Sequence, residues 1–382
     1  MEPTLIALVM VCALLVMIFA RAPIALAMGI VGAAGYISLA SASAFGAYLS
    51  TAWVDKFMSY ELAIVPLFIL MGHLATRTGI SAALFRAANA WIGHFRGGLA
   101  MAAVAGCAMF GSISGSSLAT ASTMARVALP EMRKNGYSGA LSAGSLAAGG
   151  TLGILIPPSV VLIIYALLTE QNIVKLFLAA TIPGTLAVLG FMAAIAVYVR
   201  LFPQEAPIQP RKPLRARIKA LGEIWYIVGI FGGVLLGIYG GVFTPAEGAS
   251  VGVVATLIAG LVTRSLSFPD LVDCLIDTAA SSAMIFAIIF GADLFNVALA
   301  LSRMPTEVAD WFAAADVAPM VVLLGIIAFY LVMGCVMDSL SMILLMVPIF
   351  FPVVMGLELF GLGDTEKAIW FGIMMLMLVE IG

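Results

Sequence analysis

Residues Gly111-Ser-Ile-Ser-Gly-Ser-Ser-Leu-Ala-Thr120 form a short polar stretch inside an otherwise apolar chain, and their reading decides the fold. The apolar arms on either side, starting at Gly97 and ending at Pro130, are each shorter than the roughly 20 helical residues needed to cross a hydrocarbon core about 30 Å thick. The pattern predicts a helical hairpin near 97–130 that enters the membrane and turns back. Backbone that leaves the helix at that depth is tolerated only where protein or a water-filled cavity satisfies its N–H and C=O groups. Gly111 and Gly115 permit unusual backbone angles and close approach, while the hydroxyls of Ser112, Ser114, Ser116, Ser117 and Thr120 are candidate ligands or helix caps. The same residues also suit a small-residue packing face between membrane helices, and the stretch alone does not separate the two readings.

Composition sets the class. Of 382 residues, 63% are hydrophobic and only 10% charged, and the mean hydropathy is +1.16. A water-exposed surface needs more charge than 18 basic and 20 acidic residues supply, so the chain reads as an all-α polytopic membrane protein in a lipid bilayer. The net charge of -2, with no basic patch carrying interleaved aromatics, excludes a nucleic-acid partner. Cys12, Cys107, Cys274 and Cys335 stand singly in apolar stretches and read as small buried hydrophobes, not disulfides or metal ligands. The N-terminal run to Ala20 follows an acidic start and meets Arg21-Ala-Pro23, which reads as a retained first span instead of a signal peptide.

In chain order, Leu5–Ala20 and Ile24–Ala40 read as spans, residues 41–60 as a mixed loop with Trp53 and Tyr60, and Glu61–Ala75 as a third apolar segment. From Arg77 to Arg96, apolar residues at helical spacing between basic ones predict an amphipathic interfacial helix. The two histidines, His73 and His94, lie too far apart in sequence to suggest a catalytic pair. A segment near 140–168 is interrupted by Gly149, Gly150 and Gly153 and by Pro157-Pro158, so its helix must break or kink. Transporters place sites at such breaks, where helix N-termini face anions and freed carbonyls face cations.

Ile173–Leu201 is a further span, and residues 202–222 form a Pro-rich basic linker assigned to the cytoplasm by its positive charge. It divides the chain into near-equal parts, 1–201 and 223–382, which suggests an inverted repeat. In the second part, Ile224–Tyr239 and Ala246–Thr263 read as spans, Phe268–Asp277 as an interfacial helix and Ala279–Leu301 as an apolar segment carrying Asp293 and Asn296. A second hairpin is expected near 319–355, its turn holding Asp338, Ser339 and Ser341. A carboxylate at such depth is costly unless paired or bound to a cation, which makes Asp338 a candidate by default, with a buried capping or protonated acid as the alternative. The separation of Gly115 from Pro157, carried forward from Asp338, falls on Glu380, so the second interruption is expected where the sequence ends and the C-terminus to be truncated.

These residues resemble the large membrane subunit of tripartite ATP-independent periplasmic (TRAP) transporters over essentially the whole chain. The resemblance rests on Gly111–Ala121, on Gly153-Ile-Leu-Ile-Pro-Pro-Ser159, on Gly241-Val-Phe-Thr-Pro-Ala-Glu247, and on Met337-Asp-Ser-Leu with Pro348-Ile-Phe-Phe-Pro352. It implies an elevator-type secondary transporter with two re-entrant hairpins and two broken helices. It also implies a small four-helix membrane subunit, a periplasmic substrate-binding protein, an organic-acid substrate and residence in a bacterial or archaeal inner membrane. The implied site is Ser114, Gly115, Ser116, Ser117 and Thr120 from the first hairpin, Gly153, Pro157, Pro158 and Ser159 from the broken helix, and Asp338, Ser339 and Ser341 from the second hairpin. Sodium is the implied coupling ion, held through Ser114, Ser117, Gly153 and Asp338, with no cofactor. Arg126 stands where the family usually has a small residue; pairing with a substrate carboxylate, facing Glu131 and facing lipid headgroups are the open readings.

A stand-alone sodium/carboxylate symporter of similar fold is the nearest competing reading. An embedded enzyme would need a nucleophile with a base, or a metal cluster, and dispersed cysteines and histidines offer neither. A channel would show pore-lining rings, and the absence of a GxxxxGK[ST] motif points to an ion gradient as the driving force.

Overall fold

The computed structural model describes residues 2–58, 60–304, 306–307, 318–335, 337 and 339–381, with the side chains of Asp55, Lys56 and Ile381 excepted. Regular structure among the described residues is helical throughout. The helices are α1 (Pro3–Phe19), α2 (Ile24–Leu39), α3 (Ala42–Phe57), α4 (Ile64–Arg77), α5 (Ile80–Ile92), α6 (Gly98–Ser114), α7 (Ser117–Lys134), α8 (Gly139–Leu155), α9 (Val160–Thr169) and α10 (Ile173–Leu201). They continue with α11 (Leu214–Tyr239), α12 (Pro245–Val262), α13 (Phe268–Leu301), α14 (Pro319–Gly334), α15 (Ser339–Met355) and α16 (Asp364–Ile381). By length and apolarity four of these, α10 to α13, can cross a membrane, and six spans result if the bent pairs α4–α5 and α8–α9 each count as one. Leu178, Ile182, Leu186 and Leu189 of α10 are exposed, the surface expected of a helix whose solvent is lipid.

Three expectations are corrected. Residues 41–60 are not a mixed loop: the Ser41 hydroxyl accepts from the Ala44 amide and starts α3, whose Trp53 ring lies 4.7 Å from Phe290. Residues 268–277 and 279–301 are not two elements but the single 34-residue helix α13, since nothing between them breaks the backbone. Gly149, Gly150 and Gly153 do not interrupt α8, which runs on to Leu155 and ends where the Pro157-Pro158 pair removes two amide donors. The segment after Arg77 also differs in detail. Helix α5 begins at Ile80 after Gly79, whose φ of +71° suits glycine, and its Leu84, Phe85 and Ala88 are buried by protein. Of the four cysteines, Cys107 and Cys274 are buried, but Cys12 on α1 and Cys335 just past the end of α14 are exposed.

The described chain divides into two compact units. One comprises Met1–Ala63, Ile164–Asn172 and Ala280–Gly382, the other Ile64–Ile163 and Ile173–Ala279. In the first unit, α2 and α13 approach backbone to backbone: a Cβ on Gly32 would sit 2.5 Å from the Phe295 amide nitrogen, and one on Gly291 would sit 2.5 Å from the Ala25 carbonyl. The Asp293 carboxylate accepts a hydrogen bond from the Tyr48 hydroxyl, which answers the cost of placing an acid in an apolar helix. Tyr165 is buried in the same unit and donates to the Ala368 carbonyl at 2.6 Å, against a Gly372 that leaves room for its ring.

The second unit is built around α6, whose Leu99, Ala102, Ala103, Val104, Cys107 and Phe110 are wholly buried. At one end Arg77 pairs with Asp270 and Asp273 at 3.3 Å each, which ties the acidic face read at 268–277 to the end of α4. Elsewhere, the buried Arg217 of α11 donates to the carbonyls of Ala90 and Trp91 at 3.0 and 2.9 Å, at the C-terminus of α5, where a cation meets the negative end of the helix. Its guanidinium also stacks on the Trp91 ring and lies 3.3 Å from Nδ1 of His94, which accepts only when the imidazole is neutral.

Partial withdrawal from water, reinforced by Arg217 and Arg211, holds the His94 pKa below the ordinary histidine value. A depressed histidine contributes stability that is complete above about pH 6.5 and is lost as pH falls through the lowered folded value. Thermal unfolding of the protein should therefore show a loss of stability on acidification that His94→Gln reduces; an unchanged acid limb in the variant would contradict this assignment.

Candidate functional site

The first hairpin reverses direction in two residues. Helix α6 ends at Gly115, whose φ of +60° is the left-handed conformation glycine adopts at little cost, and the Gly115 amide donates to the Gly111 carbonyl at 2.8 Å. Ser116 then caps α7, its hydroxyl accepting from the Ala119 amide at 3.4 Å. Inside the turn the hydroxyls of Ser114 and Thr120 lie 2.8 Å apart, and the Ser114 hydroxyl is 3.4 Å from the Ser116 carbonyl that accepts from it. Thr120 is fully buried and Ser114 nearly so, so these oxygens sit in protein and not in bulk solvent.

The turn rests on the break between α8 and α9, which are bent by 40°. A Cβ on Gly153 would lie 2.6 Å from both the Ser116 carbonyl oxygen and the Thr120 hydroxyl, and one on Gly111 would lie 2.5 Å from the Gly153 Cα. These distances leave space for hydrogen alone. On the other side of the turn a Cβ on Gly115 would meet the Val160 amide at 3.2 Å and the Pro158 carbonyl at 3.3 Å. The peptide between Pro157 and Pro158 is cis, and the wholly buried Ser159 accepts from the Leu162 amide at 3.4 Å as α9 begins. Two helix C-termini, those of α6 and α8, therefore meet beside two helix N-termini, those of α7 and α9. The former concentrate partial negative charge and free carbonyls, the latter partial positive charge and amides. Such a junction is suited to a cation on one side and an anion on the other.

The unit containing the second hairpin carries a related arrangement. Ser339 at the start of α15 donates to Glu380 Oε1 of α16 at 2.7 Å, and Ser341 two residues on is buried. Asp338 lies outside the described residues.

The sequence matches the family model described as tripartite ATP-independent periplasmic transporter, DctM component, over residues 11–382. The chain belongs to this family. It is 36% identical to the C4-dicarboxylate TRAP transporter large permease protein DctM of Pseudomonas aeruginosa, across 85% of this chain and 74% of that protein. It is 33% identical to the ectoine/5-hydroxyectoine TRAP transporter large permease protein UehC of Ruegeria pomeroyi, across 78% and 70%. It is 30% identical to the sialic acid TRAP transporter large permease protein SiaM of Vibrio cholerae, across 85% and 74%. This DctM component is thus a multi-pass membrane transport subunit and not an enzyme.

Within the DctM component, Ser114, Gly115, Ser116, Thr120, Gly153, Pro158 and Ser159 converge on one junction, joined by the half-buried Ser117 at the first position of α7 and by Pro157 in the break. Arg126 does not join them: it is exposed on α7 well beyond the turn, and the Glu131 carboxylate is engaged by the Asn135 side chain at 3.2 Å. Two contributors escaped the sequence reading. Gly72 of α4 meets the turn from a third side, since a Cβ there would lie 3.1 Å from the Ser114 Cα, and an isolated glycine in an apolar run carries no signal. Glu380 appeared only as a position counted along the repeat, whereas its pairing with Ser339 is a tertiary fact.

Gly153→Ala should force the turn off α8 and lower thermal stability by about 1–3 kcal/mol, the usual cost of overfilling a packed site. Gly144→Ala on the same helix has open space and is the control; equal effects would show helix propensity, not packing, to be at work. Ser339→Ala strips Glu380 of a donor and should cost about 1–3 kcal/mol in the same assay, while Glu380→Gln keeps an acceptor and should cost less. The reverse order would assign the pair's value to charge.

Proposed function

We propose that this DctM component is the translocating subunit of a binding-protein-dependent, secondary-active importer that couples uptake of an organic acid to sodium across an inner membrane. The observation that carries the reading is the junction of four helix ends at Ser114–Ser117 and Gly153–Ser159, where Ser114, Thr120 and Ser159 are buried and the described residues contribute hydroxyls and backbone. Sodium is a hard cation that takes oxygen ligands, and the carbonyl-rich side with Ser114, Ser117 and Gly153 supplies them; the amide-rich side favours a carboxylate. Asp338 and Ser341 would serve the second hairpin in the same way, with Ser339 held by Glu380. The tripartite, periplasmic description of the family supports a periplasmic binding protein and a further membrane subunit as partners, the latter being the small four-helix subunit in this reading. The names of the relatives support a dicarboxylate, sialic acid or related carboxylate as substrate. An elevator movement of an inverted repeat is the alternating-access mechanism consistent with the paired hairpins.

Uptake of labelled carboxylic acids into proteoliposomes holding the chain with its small-subunit partner tests this reading. Uptake should require both an inward sodium gradient and the binding protein, and Thr120→Val should weaken its sodium dependence. Sodium-driven uptake without the binding protein would instead make the protein a stand-alone symporter, and sodium-independent uptake would return the polar turn to a packing role.

A further inference from the structure

Helix α7, the second arm of the first hairpin, is packed on one side and bare on the other. Thr120, Met124, Ala128 and Met132 are wholly buried, and Met124 and Ala121 occupy the space left by Gly106 of α6 and Gly150 of α8. On the other side Leu118, Ser122 and Arg126, one helical stripe, are exposed. The bare face of α10 in the same unit is Leu178, Ile182, Leu186 and Leu189, a surface suited to hydrocarbon. The bare face of α7 instead carries a hydroxyl and a guanidinium.

That guanidinium is uncompensated. Arg77, Arg86 and Arg217 of this unit each have partners, whereas Arg126 makes no hydrogen bond or ion pair among the described residues. The Ser122 hydroxyl is spent on the Ala119 carbonyl at 3.2 Å. Pro130, four residues on and inside α7, supplies no amide for the Arg126 carbonyl, so the backbone there also calls for a polar medium. Arg126 lies nine residues past Ser117 and seven before Arg133, roughly 13 Å along the helix from the turn and about 10 Å from the basic end. A charge at such depth is costly in hydrocarbon unless it reaches headgroups or water. Reaching back to the basic end runs against the helix, because Cα–Cβ bonds tilt toward the N-terminus, which in α7 is the hairpin turn. A guanidinium in water between low-dielectric walls draws anions and grips a carboxylate with two parallel hydrogen bonds.

We propose that the Leu118–Ser122–Arg126 face lines a water-filled lane of the transport path, in which Arg126 receives the carboxylate of the organic acid between the hairpin junction and the basic end of α7. The inference rests on the transport reading above and adds to it a charged residue outside the junction. Thiol labelling in proteoliposomes tests the lane without the substrate. In a background with the exposed cysteines replaced, Cys12→Ser and Cys335→Ser, the variant Ser122→Cys places a thiol one turn from Arg126. Anionic sulfonatoethyl and cationic trimethylammonioethyl methanethiosulfonate should both label it. Normalised to a free thiol, the anionic reagent should be favoured by about tenfold. Adding Arg126→Gln should abolish the preference, and Arg126→Lys should keep it. No labelling by either reagent would put the face in lipid or protein, and a preference surviving Arg126→Gln would belong to other charges; either result overturns the assignment. Sodium-driven uptake of labelled succinate or sialic acid should fall about tenfold in Arg126→Gln, the worth of one charge-assisted hydrogen bond, and largely recover in Arg126→Lys. Uptake by Arg126→Gln equal to the parent's would also overturn it. No uptake of either acid by the parent, with the reagent preference intact, would count against the transport reading while supporting the anion-receiving lane.

Discussion

The backbone at membrane depth has nowhere to turn for hydrogen bonds except to other protein groups, and the described structure of this DctM component is organised around that constraint. At Gly115 and Ser116 a helix stops, reverses and restarts. Its loose ends are answered locally by the Gly111 carbonyl and the Ser116 hydroxyl, and spatially by the neighbouring break at Ile156–Ser159. Both interruptions are needed in one place, because each supplies the polar surroundings that make the other tolerable.

Glycine is the means by which they meet. Gly111 and Gly153 face their neighbours at a separation that excludes a methyl group, and Gly72 lies tight against Ser114, so the turn, α8 and α4 pack closely. The consequence is electrostatic. Helix ends whose partial charges would be screened in water stand together in a buried setting, where they act more strongly on an ion or a carboxylate. At the start of α15 a side-chain carboxylate is used instead: Glu380 accepts from the Ser339 hydroxyl.

Outside the junction, charge is used sparingly, and several charged groups serve helix ends. Arg217 closes the C-terminus of α5, Arg77 gathers Asp270 and Asp273, and Thr244 with Glu247 forms a reciprocal capping box at the start of α12. The long apolar faces of α10 to α12 are left to lipid.

The sequence by itself determined the class and the grammar of this protein. Hydropathy sufficed for a polytopic helical chain, and the Gly/Ser turn at 111–120, the Pro157-Pro158 pair and the Gly/Ser motif before α15 marked where helices end, because proline removes donors and glycine tolerates positive φ wherever they occur. Local signals misled where packing decides: the glycines of α8 looked like a break yet remain helical, since their missing side chains are used by Cys107, Ala121 and the hairpin turn. Residues 41–60 looked like a loop until Trp53 and Phe57 found Phe286 and Phe290, far away in the chain. Only the tertiary structure decided that Gly72 joins the turn, that Glu380 holds Ser339 and that Arg126 stands apart. Those are facts of distance between remote segments, and no periodicity or motif within a segment encodes them.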